Sequence, residues 1–149
     1  MTRLLILVAV SLVGITVAAC SQNGDQMGAD SADAGQVALG ETVYEAQCAV
    51  CHGAELEGQP DWRQRLPNGR LPAPPHDETG HTWHHPDQQL FGMVKNGMTP
   101  YAPEGYESDM PAFLGILSDE EIWAVLAHIK STWPKGIQAR QAAISERSN

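Results

Sequence analysis

The stretch that most constrains this chain is Cys48-Ala49-Val50-Cys51-His52. Two thiols three positions apart, followed at once by an imidazole, form the C-x-x-C-H pattern through which c-type haem is attached. The thiols add across the two vinyl groups of the porphyrin, and the histidine is then placed to reach the iron as proximal ligand. A reducible dithiol and half of a zinc site use the same first four positions. The third cysteine, Cys20, stands alone, so no second pair completes a zinc ribbon, and no strand–helix–strand pattern surrounds the motif. A covalently held porphyrin fills the centre of a small fold. That suits a chain with only two Phe, four Trp and three Tyr for its core.

The N-terminus carries an address. Arg3 precedes an apolar run from Leu4 to Val17, and the run closes on Val17-Ala18-Ala19-Cys20. A charged start, an apolar centre and small residues at the end read as an export signal, and the run is short for a bilayer span of about 20 residues. The four residues ending in Cys20 resemble the bacterial lipobox, so Cys20 is the expected site of lipidation and the new N-terminus. Residues 1–19 are then a lipoprotein signal peptide, and the expected location is periplasmic, anchored to the membrane through lipid. Export also favours haem as the fate of the C-x-x-C thiols, which an oxidising compartment would otherwise convert to a disulfide. The chain has 9 basic against 18 acidic residues, a net charge of −9, and losing Arg3 makes it more negative. This excludes nucleic acid as a partner, since phosphate binding needs a basic surface. It suits a redox protein partner that presents basic patches.

Residues 20–35 are polar, small and without apolar period, and read as a flexible tether. From Gln36 a helical stripe appears, with Val37, Gly40, Tyr44 and Cys48 on one face, leading directly into the haem motif. Residues 53–80 are dense in Gly, Pro, Asn and Asp, the chemistry of loops and turns. A short helix is expected over Asp87 to Asn96, ended by Gly97, with Leu90, Phe91 and Val94 inward. Ser118-Asp119-Glu120-Glu121 is a capping box opening a helix whose buried stripe is Ile122, Val125, Leu126 and Ile129, and Pro134 stops it. Residues 135–149 read as a polar C-terminal tail, at most marginally helical over Ala139 to Ser145. The domain proper is residues 36–134.

Taken together, these motifs resemble a class I cytochrome c, monohaem and bacterial. Three segments carry the resemblance: the helix with Gly40 and Tyr44 ahead of Cys48-Ala49-Val50-Cys51-His52-Gly53; Met110-Pro111-Ala112-Phe113, similar to the family's M-P-x-F motif; and the closing helix from Leu117 to Ile129. The resemblance implies an all-α cytochrome c fold, small helices with long loops around one covalently attached haem c. It implies Met110 as distal iron ligand opposite His52. It also implies a crossing of first and last helices at Gly40 and Tyr44 against Val125 and His128, where His128 replaces the usual aromatic. The family further places a proline whose carbonyl accepts the N–H of the proximal histidine; Pro72 and Pro74 both qualify. Met93 and Met98 compete with Met110, but neither has the Pro-x-Phe context.

Four of the six histidines, His76, His81, His84 and His85, fall within ten residues. One account is a polar loop over the haem edge, with Trp83 or a histidine bonding a haem propionate. The others are a distal histidine ligand, or a separate copper or zinc site, metals that imidazoles favour. Arg63, Arg65 and Arg70 form the only basic cluster and read as solvated loop charges. Asp119, Glu120 and Glu121 serve a helix N-terminus. Two functions follow: an electron carrier with a six-coordinate haem and no substrate of its own, or a copper-handling or haem-sensing protein using the histidine loop or an open iron site.

Overall fold

A computed structural model describes residues 28–148. The expected export signal and Cys20 lie outside the described residues. The architecture is all-α: α1 (Ala34–Gln47), α2 (Ala49–His52), α3 (Asp87–Asn96), α4 (Asp119–Thr132) and α5 (Lys135–Ser148), with short 3-10 turns at Thr82–His84 and Thr99–Tyr101. Among the described residues the only β-type pairing is an isolated bridge between Leu114 and Leu117.

The start of α1 is set by Asp33, whose carboxylate accepts from the N–H groups of Gly35 and Gln36 at 2.8 and 3.0 Å. Such a cap satisfies donors the first turn cannot pair internally. The chain joins the fold before residue 36, where the tether was expected to end. Ala29 is buried with Leu90, Ile122, Trp123, Leu126 and Ala127, and Gln36 reaches back to the Gly28 carbonyl. Ala29 carries no periodic signal because it packs as a single residue.

Helix α4 opens with the capping box: the Ser118 hydroxyl accepts from Glu121 N–H, and the Glu121 carboxylate accepts from Ser118 N–H at 2.8 Å. Ile122, Ala124, Val125 and Ala127 are almost wholly buried. They pack against α1 at a crossing that only glycine permits, since a Cβ on Gly40 would lie 1.9 Å from the Ala124 carbonyl oxygen and 2.9 Å from His128 Cβ. The Tyr44 and His128 rings meet beside it at 5.5 Å.

The C-terminal segment departs from expectation. Residues 135–148 form a full helix, started by the Pro134 carbonyl accepting from Ile137 and Gln138. Its docking face joins Ile137, packed against the core, to the buried polar Gln141, a mixture in which hydrophobic period does not show. Gln141, 0 % exposed, donates to the His85 carbonyl, to Asp87 and to Ser145. Lys130 on α4 grips the same Asp87 carboxylate at 2.7 and 2.9 Å. One buried polar knot therefore joins α3, α4 and α5.

Candidate haem site

Cys48 closes α1 and opens α2; its N–H donates to the Tyr44 carbonyl, and its own carbonyl accepts from Cys51 and His52. The helix axis thus runs into one further turn that carries both thiols. Both cysteines are free, Cys48 half-buried and Cys51 exposed. Burial, then the neighbouring Cys51, pushes the Cys48 thiol up to about 11. Gly53 follows with φ +81°, and its carbonyl accepts from the buried Tyr44 hydroxyl at 2.9 Å. Tyr44, on the first helix, thereby fixes the exit of the motif.

His52 is buried, and its Nδ1 lies 2.9 Å from the Pro74 carbonyl oxygen. A carbonyl only accepts, so Nδ1 carries the hydrogen and Nε2 is left with a free lone pair. Burial holds the pKa below the ordinary imidazole value, against the opposing pull of the Pro74 bond. The ring is therefore neutral near pH 7, the form that binds iron. Of the two candidate prolines, Pro74 makes this bond; Pro72 is buried and makes none with His52. The loop reaches this position because Gly58 and Gly80 both lie against Pro75, where a Cβ would come within 2.4 Å of its nitrogen and 2.0 Å of its carbonyl oxygen.

Among the described residues no group of three or more His, Cys, Asp or Glu side chains could hold a metal ion. The rings of the histidine loop are occupied with aromatic neighbours: His84 stacks on Trp83 at 3.7 Å, His81 stacks on Trp62 at 5.9 Å, and His85 meets the edge of His81 at 5.1 Å. His76 turns the other way. It stacks on His52 at 4.0 Å, and burial holds it well below the ordinary imidazole pKa. The Trp83 indole N–H, a candidate propionate donor, is instead bonded to the Glu78 carbonyl at 3.3 Å, while Arg140 of α5 lies over its ring.

Met110 is half-buried in the loop before α4, its N–H bonded to Ser108 Oγ at 3.1 Å. Phe113 is buried and bonds through its N–H to the Val94 carbonyl, tying the M-P-x-F segment to the end of α3. Arg70 pairs with Glu107 at 3.2 Å and with Asp109, which joins the Met110 loop to the segment leading into Pro74. Arg63 lies over Trp62 and Arg65 over Tyr106. Met93 is buried on α3 and Met98 is half-buried. Trp62 and Thr82 went unremarked in the sequence, where an aromatic or a threonine inside a loop carries no period; an aromatic beside a basic run was the one available cue.

These donors fit a c-type haem. Two unpaired thiols sit on one helical turn, and a neutral imidazole beside them has one nitrogen engaged and the other free. A family model for cytochrome c matches residues 37–133, from the first turn of α1 to the end of α4. Neither the curated proteins nor the solved structures compared with the chain gave a match. The family binds covalent c-type haem, and the Cys48/Cys51 pair fits its C-x-x-C-H motif; the match supports a haem-binding electron carrier with redox proteins as partners. On the span of that match, which takes in the haem motif and both crossing helices, the chain belongs to the cytochrome c family.

Proposed function

We propose that this chain is a membrane-tethered periplasmic electron carrier of the bacterial class I type, in which His52 and Met110 would hold the haem iron and Cys20 carries the lipid anchor. The observation that carries the reading is the His52 Nδ1–Pro74 bond, which commits one ring nitrogen and orients the other. Such a bond strengthens a histidine as a donor and fixes its tautomer. When bound, the haem supplies a one-electron Fe(III)/Fe(II) couple. Cys48, at the cap of α2, and Cys51 within it would hold the group, and the buried α1–α4 pair keeps that turn from shifting. A thioether from Met110 would favour the reduced state and raise the potential relative to two imidazoles. Pro111 stiffens its approach and Phe113 anchors the following chain.

The test is a spectrum of protein matured in a bacterial periplasm. The expected result is haem that resists acid-acetone extraction and an oxidised form with the weak far-red band of thioether-bound iron. Met110→Ala should lose that band, lower the potential and bind carbon monoxide or imidazole, while keeping its covalent haem. A wild type that is five-coordinate would favour haem-based sensing, and a Met110→Ala spectrum identical to wild type would return Met110 to the core.

A further inference from the structure

The Pro74 bond leaves one freedom of His52 unrestrained. Nδ1 and Nε2 lie on nearly opposite sides of the imidazole, so a hydrogen bond at one and a metal at the other define a single axis. Small changes in the side-chain torsions can still tilt the ring about that axis. A flat group against its face removes that freedom, and His76 is that group: the two rings stack at 4.0 Å with planes 24° apart.

His76 is itself pinned at several points. Its N–H donates to the Leu56 carbonyl at 2.8 Å, and its carbonyl accepts from the buried Trp133 indole at 2.7 Å. Its ring Nδ1 is bonded to the hydroxyl of the buried Thr82 at 2.8 Å, and its edge meets the Tyr44 ring at 6.3 Å. The segment after α2, the end of α4, the 3-10 turn at Thr82–His84 and α1 therefore all converge on one imidazole. The Thr82 bond satisfies a ring nitrogen that packing takes out of water and, with the backbone contacts, also fixes the plane of the ring.

We infer that His76, locked by Thr82, is a positioning residue that sets the rotational angle of the His52 imidazole plane about its bond to the haem iron. This rests on the assignment of His52 as proximal ligand. The angle decides which iron d orbital overlaps the imidazole π system, so it is read by the g-anisotropy of the low-spin ferric signal and by the spread of haem methyl proton shifts.

The test compares wild type with His76→Phe, His76→Leu and Thr82→Val, each matured as covalent holoprotein. His76→Leu keeps volume but not the flat face, and should change both the g-values and the order or spread of the methyl shifts. His76→Phe restores a face and should return them toward wild type. Thr82→Val leaves the ring but frees it, and should move both readouts in the same sense as His76→Leu, which decides the matter if that variant does not fold. Wild-type signals in His76→Leu or in Thr82→Val, with covalent low-spin haem in place, would overturn the positioning role alone. A wild type lacking histidine-ligated haem would overturn the His52 assignment and this inference with it.

Discussion

At the helix crossing, His128 occupies a place where protonation is unwelcome. Its ring packs on Tyr44 and its Cβ faces Gly40, and burial lowers its pKa below the ordinary value although Glu41 and Glu45 pull the other way. A histidine with a depressed folded pKa binds its proton more readily when unfolded. Its neutral form is therefore compatible with full stability above about pH 6.5, the unfolded value, and stability is lost as pH falls through that point toward the folded pKa. His128→Phe should flatten this part of the profile. Denaturant midpoints at about pH 7.5 and 5.5, on either side of the unfolded value, check it: wild type should lose more stability than the variant. His76 and His81 are depressed in the same direction, so some acid sensitivity remains.

At the level of elements, two contacts decide stability. The first is the α1–α4 crossing, where any side chain on Gly40 meets backbone rather than a movable group. Gly40→Val should cost about 1–3 kcal/mol through overpacking, read as a lower denaturation midpoint with covalent haem unchanged; an unaltered midpoint would mean the helices do not cross there. The second is the polar knot beneath α5. Asp87→Ala strands the Lys130 ammonium in a mostly buried position and removes a partner of Gln141. Breaking a buried pair by deleting one partner costs several kcal/mol, and about 3 kcal/mol is expected here, with α5 becoming more open to hydrogen exchange. Gln141 Oε1 has no partner of its own, so Gln141 is held only through its donor side.

For the whole molecule, charge sets how the carrier meets its partners, and in the proposed arrangement attachment does so as well. A net charge of −9 steers it toward basic surfaces, and such steering weakens as salt screens it. No helix among the described residues is long and apolar enough to cross a membrane. In the proposed arrangement attachment comes from lipid on Cys20, and several acyl chains anchor firmly where one binds only marginally. Wild type should fractionate with membranes and carry the mass of the modification. Cys20→Ala should carry no lipid and leave the membrane fraction, with the haem spectrum unchanged. A wild type found soluble with unmodified mass would remove the anchor from the reading.

Much of this was legible along the chain because it is local. The haem motif is five consecutive residues, the capping box of α4 spans four, and the stripe of α1 repeats at the helical period. Each is dictated by covalent chemistry or by backbone donors that need a nearby acceptor. Gly97 and Pro134 mark the ends of α3 and α4 for the same reason. The rest depended on where loops travel. Pro72 and Pro74 are equivalent in sequence, and only the path of a loop spanning 22 residues brings the second carbonyl to His52. Four histidines are clustered in the sequence; the fold sends His76 inward to His52, while His81 stays beside His84 and His85 at 6.3 and 5.1 Å and stacks on Trp62. Helix α5 was hidden because its one fully buried residue, Gln141, is held by hydrogen bonds and its apolar contact through Ile137 is too sparse to make a period. A hydrogen bond declares itself only when both partners are in place, and here they come from segments more than fifty residues apart.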